Sequence, residues 1–382
     1  MRIALVHDYL KEYGGAEAVF ETLTDLYPKA DIFTSLYAPS YFGPHRNRLQ
    51  KKWDHRVHQS FFKYIPFAHK IISPLRLLSP LAFKFFDFSD YDLIISSATG
   101  AYFPNAVNKK SAKLICYCHT PPRYLYGLPT ARNFQKYPLL KFLANIVNHF
   151  LRLADFKFSQ NVDQYIANSQ TTAARIKKFY RRPAVIINPP IEVPKLSADK
   201  FKKSPLSSKG VVRRTGGFYL TGGRLARAKR YDIAILACKK LNLPLKIFGR
   251  DFAGFETELR KLAGPKTEFL GEVTQSQKET LFKTAQAYLF CSDNEDFGMV
   301  SVEAQALGCP VIGYNSGGIK ETVVHGKTGF LFDKLTPDSC ATAIQKLNQN
   351  NLNPQDCHRN ALKFSRPVFI KKIRNLVTRF SR

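Results

Sequence analysis

Glu295 and Glu303 lie in a segment, residues 290–304, that reads Phe-Cys-Ser-Asp-Asn-Glu-Asp-Phe-Gly-Met-Val-Ser-Val-Glu-Ala. The apolar run ending near Phe290 predicts a strand, the polar stretch after it a turn, and the apolar spacing from Phe297 or Gly298 onward a helix. Such a helix start turns unpaired backbone N–H groups and a positive dipole end toward whatever lies beyond the strand, which suits a phosphate. Gly298 allows close approach to the main chain there, with the amides near Phe297, Gly298 and Met299 as donors. Glu295 falls in the turn and Glu303 on the second helical turn, two acceptor groups matched to sugar or ribose hydroxyls. Spacing alone decides little, because a solvated helix face often places glutamates this way.

A second loop carries the opposite charge. Thr221-Gly222-Gly223-Arg224-Leu225-Ala226-Arg227-Ala228-Lys229 follows a predicted strand at 218–220 and sets Arg224 and Lys229 where a helix begins. Two cations there neutralise a diphosphate, whereas a plain solvated basic loop would carry the same residues idly. In the first half, His7-Asp8-Tyr9-Leu10-Lys11-Glu12-Tyr13-Gly14-Gly15-Ala16-Glu17 leaves the opening strand, and Gly14 and Gly15 give a close-approach loop at a helix start. Cys116-Tyr117-Cys118-His119-Thr120-Pro121-Pro122-Arg123-Tyr124-Leu125-Tyr126 also stands at a strand end. His119 is suited to bonding a sugar hydroxyl or stabilising a developing charge, although a lone histidine is more often structural.

These strings together resemble glycosyltransferase family 4, the retaining enzymes of the GT-B fold. Glu295 and Glu303, followed by Ala306-Leu307-Gly308-Cys309-Pro310-Val311-Ile312, match the E-x7-E signature, and Ser316-Gly317-Gly318-Ile319-Lys320-Glu321 and His325-Gly326-Lys327-Thr328-Gly329-Phe330-Leu331 continue the pattern. Ala167-Asn168-Ser169 and Asn188-Pro189-Pro190 add landmarks, and the string around His119 resembles the Y-C-H-T-P-x-R-Y motif of a mannosyltransferase branch engaged in surface-polysaccharide assembly. Two departures stand out: Tyr126-Gly127 where the branch often has an aromatic-acid pair, and Arg230 where a glycine commonly stands. The resemblance spans nearly the whole chain, with residues 45–90 the least specific.

The resemblance implies an α/β protein with two Rossmann-like doubly wound domains facing each other across a cleft. It also implies transfer of a hexose, mannose in first place, from a nucleotide-diphosphate sugar to a lipid-linked or surface glycan acceptor. GDP-mannose as donor rests on the branch resemblance alone. His119, Arg224, Lys229 and Glu295 are assigned to catalysis. Gly14, Gly15, Arg224, Lys229, Glu295, Phe297, Gly298, Met299 and Glu303 are assigned to the donor. With no carboxylate pair arranged as nucleophile and acid, a same-face displacement is favoured; with no DxD-like cradle, neither metal nor other cofactor is expected. A glucosyltransferase, a sugar-phosphate phosphorylase or an epimerase is the rival within GT-B chemistry. A nucleic-acid-binding protein is the rival outside it.

The elements that must position these residues are legible as apolar runs. Those at 3–6, 93–96, 114–118, 165–167, 218–220, 245–248, 268–270, 287–290 and 310–313 alternate with helix-length segments, which implies parallel sheets. The Lys-, Ser- and Gly-rich stretch before residue 217 marks a linker. The expected organisation is a first domain at 1–190, a linker at 191–217, a donor domain at 218–365, and a terminal amphipathic helix at 366–382 that packs on the first domain. Phe369, Ile373, Leu376, Val377 and Phe380 form that helix's apolar face.

Charge bounds the partners. The 382 residues carry 58 Lys and Arg against 29 Asp and Glu, net +29, split as +14 over 1–190 and +15 over the rest. No acid lies between Asp92 and Asp155, a gap that holds Lys109, Lys110, Lys113, Arg123, Arg132, Lys136, Lys141 and Arg152. Nucleic acid, anionic membrane and phosphorylated substrate all suit such an excess. No nucleic-acid-binding module or basic repeat appears, so nucleic acid is not expected as a partner. Residues 51–88 mix aromatic and basic side chains as an interfacial helix does, or as an ordinary core helix pair with solvated lysines does. No apolar run reaches the roughly 18 residues of a spanning helix. The seven cysteines lie in apolar segments and read as reduced side chains of a cytoplasmic protein, peripheral on the inner face of the cytoplasmic membrane.

Overall fold

In a computed structural model the structure describes residues 1–128, 138–195 and 217–380, so most of the expected linker, together with Arg132, Lys136 and the Lys141 side chain, lies outside the described residues. The chain divides into two units, Met1–Pro190 with Phe369–Arg382, and Ile191–Val368.

The first unit is built on β1 (Ile3–His7), β2 (Asp31–Thr34), β3 (Val57–Gln59), β4 (Leu93–Ala98), β5 (Lys113–Cys118), β6 (Gln164–Ala167) and β7 (Ala184–Ile186), all parallel and ordered β3-β2-β1-β4-β5-β6-β7. Both faces of this sheet are covered. Ile94 enters one apolar cluster while its neighbours Leu93 and Ile95 enter the other, which is why the central strands read as unbroken apolar runs rather than alternating ones. β2, β3 and β7 escaped the sequence reading; β3 carries the polar pair His58 and Gln59, which leaves no apolar run there. The helix Arg366–Phe380 buries Phe369, Ile373, Leu376 and Val377 among Ile115, Tyr117 and Ile187 of this unit, and exposes Lys371, Lys372, Arg374 and Arg379.

The second unit has β8 (Tyr219–Gly222), β9 (Leu245–Phe248), β10 (Thr267–Gly271), β11 (Tyr288–Phe290), β12 (Val311–Tyr314) and β13 (Gly329–Phe332), parallel in the order β10-β9-β8-β11-β12-β13. It begins earlier than residue 218: Ile191 bridges Ser365 and, with Val193, packs against Phe297, so 191–193 belong to this core.

In both units the strand order reverses once, between β1 and β4 in the first and between β8 and β11 in the second. The crevice outside the carboxyl ends at such a reversal is where doubly wound sheets hold ligands, because the flanking connections leave on opposite faces there. Residues 51–88 form neither a single interfacial helix nor a core helix pair. After the helix Arg46–Trp53 they break into short turns, with Phe62, Leu75, Phe83 and Phe88 inward and Arg76 turned in over the Tyr124 ring at 4.0 Å. Pro66, Pro74 and Pro80 limit helix length here, since each removes a donor and restrains the residue before it. All seven cysteines are buried and none forms a disulfide.

Candidate functional site

In the second unit the loops after β8 and β11 flank the reversal, and they carry the residues the sequence singled out. β8 ends in Gly222, where a side chain would collide with Phe248, and Gly223 and Gly249 both take positive φ as the β8 and β9 loops pass backbone against backbone. Arg224 emerges exposed, 5.6 Å from the Phe252 ring. A short 3-10 turn, Arg227–Lys229, brings Lys229 back so that its Nζ lies 2.6 Å from Glu295 Oε2. Arg230, at φ 52, caps the helix Tyr231–Lys240 in the left-handed region, which explains why a glycine suits this position. Its guanidinium forks onto Asp232 at 2.8 to 3.2 Å, offsetting part of the conformational cost.

Past β11, Asn294 and Gly298 both have positive φ, and the helix Met299–Ala306 starts immediately after. The Ser316–Gly318 turn is stitched beneath this loop. The Gly318 N–H donates to Glu295 O at 2.8 Å, Ser316 Oγ donates to Asp293 at 2.9 Å, and a methyl on Gly317 or Gly318 would strike the loop backbone. The Phe297 side chain is buried against Phe364, so only its amide is available to a ligand. Glu303, on the second turn of the helix, lies 3.1 Å from Lys278 Nζ. The sequence reading missed Lys278, whose helix Gln275–Thr284 carries no local signal of function. Both glutamates are therefore half-buried and ion-paired rather than bare acceptors.

In the first unit the reversal brings the ends of β1, β4 and β5 together. Asp8, just past β1, is fully buried. Its Oδ2 accepts from Thr99 Oγ1 at 2.6 Å and from the amides of Ala101 and Tyr102 at 3.1 and 3.0 Å, while Oδ1 has no hydrogen-bond partner. Burial raises its pKa. The clamped turn holds Gly100 against Thr120 and Pro121, directly after His119. His119 Nε2 pairs with Ser97 Oγ at 3.0 Å, and burial, helped by nearby His7, pushes the imidazole down to about 3. It is neutral at physiological pH, which leaves hydrogen bonding, not cationic charge stabilisation, as its chemistry. His7 Nε2 lies 3.6 Å from Glu17 Oε1, and Glu17 Oε2 accepts from the Gly14 amide at 2.9 Å. Gly14 is extended and Gly15 opens the helix Gly15–Leu26, so Glu17, rather than backbone freedom, holds this loop. Tyr126 donates to the buried Asp155 at 2.8 Å, and burial pushes that carboxyl up to about 7. Asp155 lines a cavity with Gly100, Thr120 and Pro122. Among the described residues no helix is long and apolar enough to cross a membrane.

The model described as Glycosyltransferase Family 4 matches residues 13–194, and the one described as Glycosyl transferases group 1 matches 206–364. The chain is 27% identical over 281 residues to Alpha-1,3/1,6-mannosyltransferase ALG2 of Homo sapiens, covering 67% of this chain and 64% of that protein. It is 26% identical over 217 residues to D-inositol 3-phosphate glycosyltransferase of Corynebacterium urealyticum, 51% of each. The matched region thus spans half to two thirds of these relatives. Among solved structures, Anabaena Alr3699/HepE in complex with UDP-glucose aligns with a TM-score of 0.69 at 19% identity, over 99% of this chain and 100% of that one. Sucrose-phosphate synthase from Thermosynechococcus elongatus aligns with a TM-score of 0.72 at 16% identity, over 99% of both chains. At these identities the structural likeness is one of fold.

Proposed function

Because this chain belongs to glycosyltransferase family 4 and is built from the two parallel-sheet α/β domains of the GT-B fold, we propose that it transfers a hexose from a nucleotide-diphosphate sugar to a lipid-linked or surface-polysaccharide acceptor, with retention at the anomeric carbon. The observation that carries this reading is the Lys229–Glu295 pair at 2.6 Å, made by the loops that flank the strand-order reversal of the second unit. An anion arriving there meets Lys229, exposed Arg224 and the first amides of the helix Met299–Ala306, all donors of the sign a diphosphate needs. The half-exposed ion pairs exchange partners at small cost, because solvent screens them.

In the proposed reaction the bond between the anomeric carbon and the diphosphate oxygen breaks as the acceptor oxygen bonds to the same face of that carbon. The acceptor's proton passes to the departing phosphate oxygen. Arg224, Lys229 and the helix amides stabilise the charge left on the diphosphate, the task a divalent ion performs elsewhere. Glu303 holds the ribose, with Lys278 fixing its orientation. Glu295 and the amides of Phe297, Gly298 and Met299 hold the hexose and phosphate. Gly14, Gly15 and neutral His119 are the first unit's proposed substrate contacts, His119 bonding a sugar hydroxyl. GDP-mannose is the favoured donor, supported by the mannosyltransferase name of a relative at 27% identity. UDP-glucose, named with a structural neighbour, is its competitor. The proposed place of work is the inner face of the cytoplasmic membrane.

The test is a thermal-shift panel of GDP-mannose, UDP-glucose, UDP-N-acetylglucosamine and GDP on wild type and Arg224→Ala. One sugar nucleotide should stabilise the wild type selectively, by several degrees at saturating concentration, and the variant should lose that response. A folded wild type indifferent to all four would defeat the reading.

A further inference from the structure

The first unit carries an apolar surface that its core does not use. Between Asp54 and Asp87 the sequence has no acidic residue but has Arg56, Lys63, Lys70, Arg76 and Lys84. This stretch folds as the 3-10 turns Phe61–Tyr64 and Arg76–Leu78 and the short helical segments Ile72–Leu75 and Ser79–Lys84. The turns sort their side chains. Phe62, Leu75 and Phe83 are at most 5% exposed, whereas Tyr64, Phe67 and Phe85 are 76%, 65% and 75% exposed, with Leu77 at 50% and Leu81 at 45%. Single exposed apolar side chains are ordinary on a protein surface, but a run of them drawn from consecutive turns marks an interaction face. Phe67 adds backbone evidence: at φ 54 it occupies a region that bulky residues avoid, so the turn presents this ring outward against local preference.

The cations stand beside the rings. Lys63 Nζ lies 4.8 Å from the Tyr64 ring, Lys70 Nζ 5.1 Å from the Phe67 ring and Lys84 Nζ 5.6 Å from the Phe158 ring, and all three lysines are exposed. Aromatic rings that sit at headgroup depth, flanked by long basic side chains that reach back to phosphates, are the chemistry of an anionic lipid interface. A second copy of this chain fits the face poorly, since it would bring the same lysines against each other.

We propose that this face, Tyr64, Phe67, Leu77, Leu81 and Phe85 flanked by Lys63, Lys70 and Lys84, docks the protein on an anionic lipid bilayer. The inference names the surface at which a lipid-linked acceptor is met, and it rests on the transfer reading for that purpose. Its test is independent of it. The full chain is floated with phosphatidylcholine vesicles, with and without phosphatidylglycerol, at low and high salt, and its mass in solution is followed by light scattering.

The wild type should float with the anionic vesicles at low salt and lose much of that binding at high salt. A Tyr64→Ser, Phe67→Ser, Phe85→Ser variant should bind at least about tenfold more weakly. Lys63→Gln and Lys70→Gln should each cost about fivefold. Variants that keep the wild-type thermal midpoint report on binding alone, and the lysine variants remain informative if the triple variant fails to fold. Three results would overturn the inference: no flotation with anionic vesicles at low salt, a folded triple variant that floats like wild type, or a wild-type dimer that the triple variant converts to monomer. Donor stabilisation reads the second unit and flotation the first, so the failure of either proposal is seen separately.

Discussion

The two units solve the same placement problem with opposite physics. At the β1/β4 reversal the polar groups are sealed: His7 and Asp8 are fully buried and His119 is nearly so, with Asp8 held by short bonds to Thr99 and backbone amides and His119 by one to Ser97. At the β8/β11 reversal they are half-exposed and charged, paired as Lys229 with Glu295 and Lys278 with Glu303. A buried carboxylate is costly to move, because its partners are left unsatisfied in a low-dielectric site. A half-exposed ion pair gives up its partner easily. The first unit is therefore built to hold a shape, and the second to exchange its internal counter-ions for a ligand's.

The sharpest way to break this contrast is to remove a cation from the second unit. Lys229→Met should lower kcat by about 100- to 1,000-fold, the usual cost of one preorganised charge-stabilising donor. It should change unfolding free energy by less than about 1 kcal/mol, since the pair is half-exposed. Steady-state rates and a urea titration on the same sample decide it. A large stability loss would make Lys229 a structural residue.

The opposite pattern is expected of Asp8. Asp8→Ala removes three hydrogen bonds from a buried site and should cost about 3 kcal/mol, at about 1 kcal/mol per bond. Donor-induced stabilisation should survive in whatever fraction folds. Asp8→Asn keeps an oxygen for the clamp and should recover most of the loss. Equal loss of donor response in both variants would erase the distinction between the units.

Titration sharpens the comparison on a smaller scale. His119 has its pKa lowered to about 3 from an unfolded value of 6.5, so its contribution to stability is present above pH 6.5 and drains away as pH falls toward 3. Asp155 has its pKa raised to about 7 from 3.8, so its contribution is full below pH 3.8 and is lost as pH rises through 7. Asp155→Asn should accordingly gain stability relative to wild type between pH 5 and pH 8, and His119→Gln should flatten the decline between pH 6.5 and pH 4. Thermal midpoints across pH test both. Identical pH profiles for wild type and variants would show that these groups do not titrate as described.

The smallest effect is expected at Arg230. Arg230→Gly relieves a left-handed conformation worth roughly 1 kcal/mol and gives up the fork onto Asp232, worth about as much. The net change should stay within about 0.5 kcal/mol. A shift well beyond that in a denaturant titration would show that one of the two opposing terms dominates.

How much of this was legible beforehand follows the same division. The second unit's loop residues were readable because a ligand-facing loop concentrates its chemistry in a contiguous string, with glycines where the backbone must turn or pass another strand. Arg224, Lys229, Glu295 and Gly298 all declare themselves that way. The Asp8 clamp was not readable, since it ties residue 8 to residues 91 to 94 positions away, and nothing local to Asp8 distinguishes it from a solvated turn aspartate. Lys278 is concealed for the same reason, on an otherwise ordinary polar helix. The strands β2 and β3 were lost because Asp31 and Thr34 in one and His58 and Gln59 in the other leave no unbroken apolar run to read.

By itself the sequence determined the alternation of strand and helix, the family pattern from Glu295 to Leu331, the basic excess and the amphipathic face of the terminal helix, because each is written in neighbouring residues. Only the tertiary structure decided which strand ends meet at the two reversals, that Glu295 and Glu303 are ion-paired, that His119 is neutral, and which aromatic rings between residues 61 and 88 face outward. Those outcomes depend on sheet order and desolvation, and both arise only when segments far apart in the chain exclude water together.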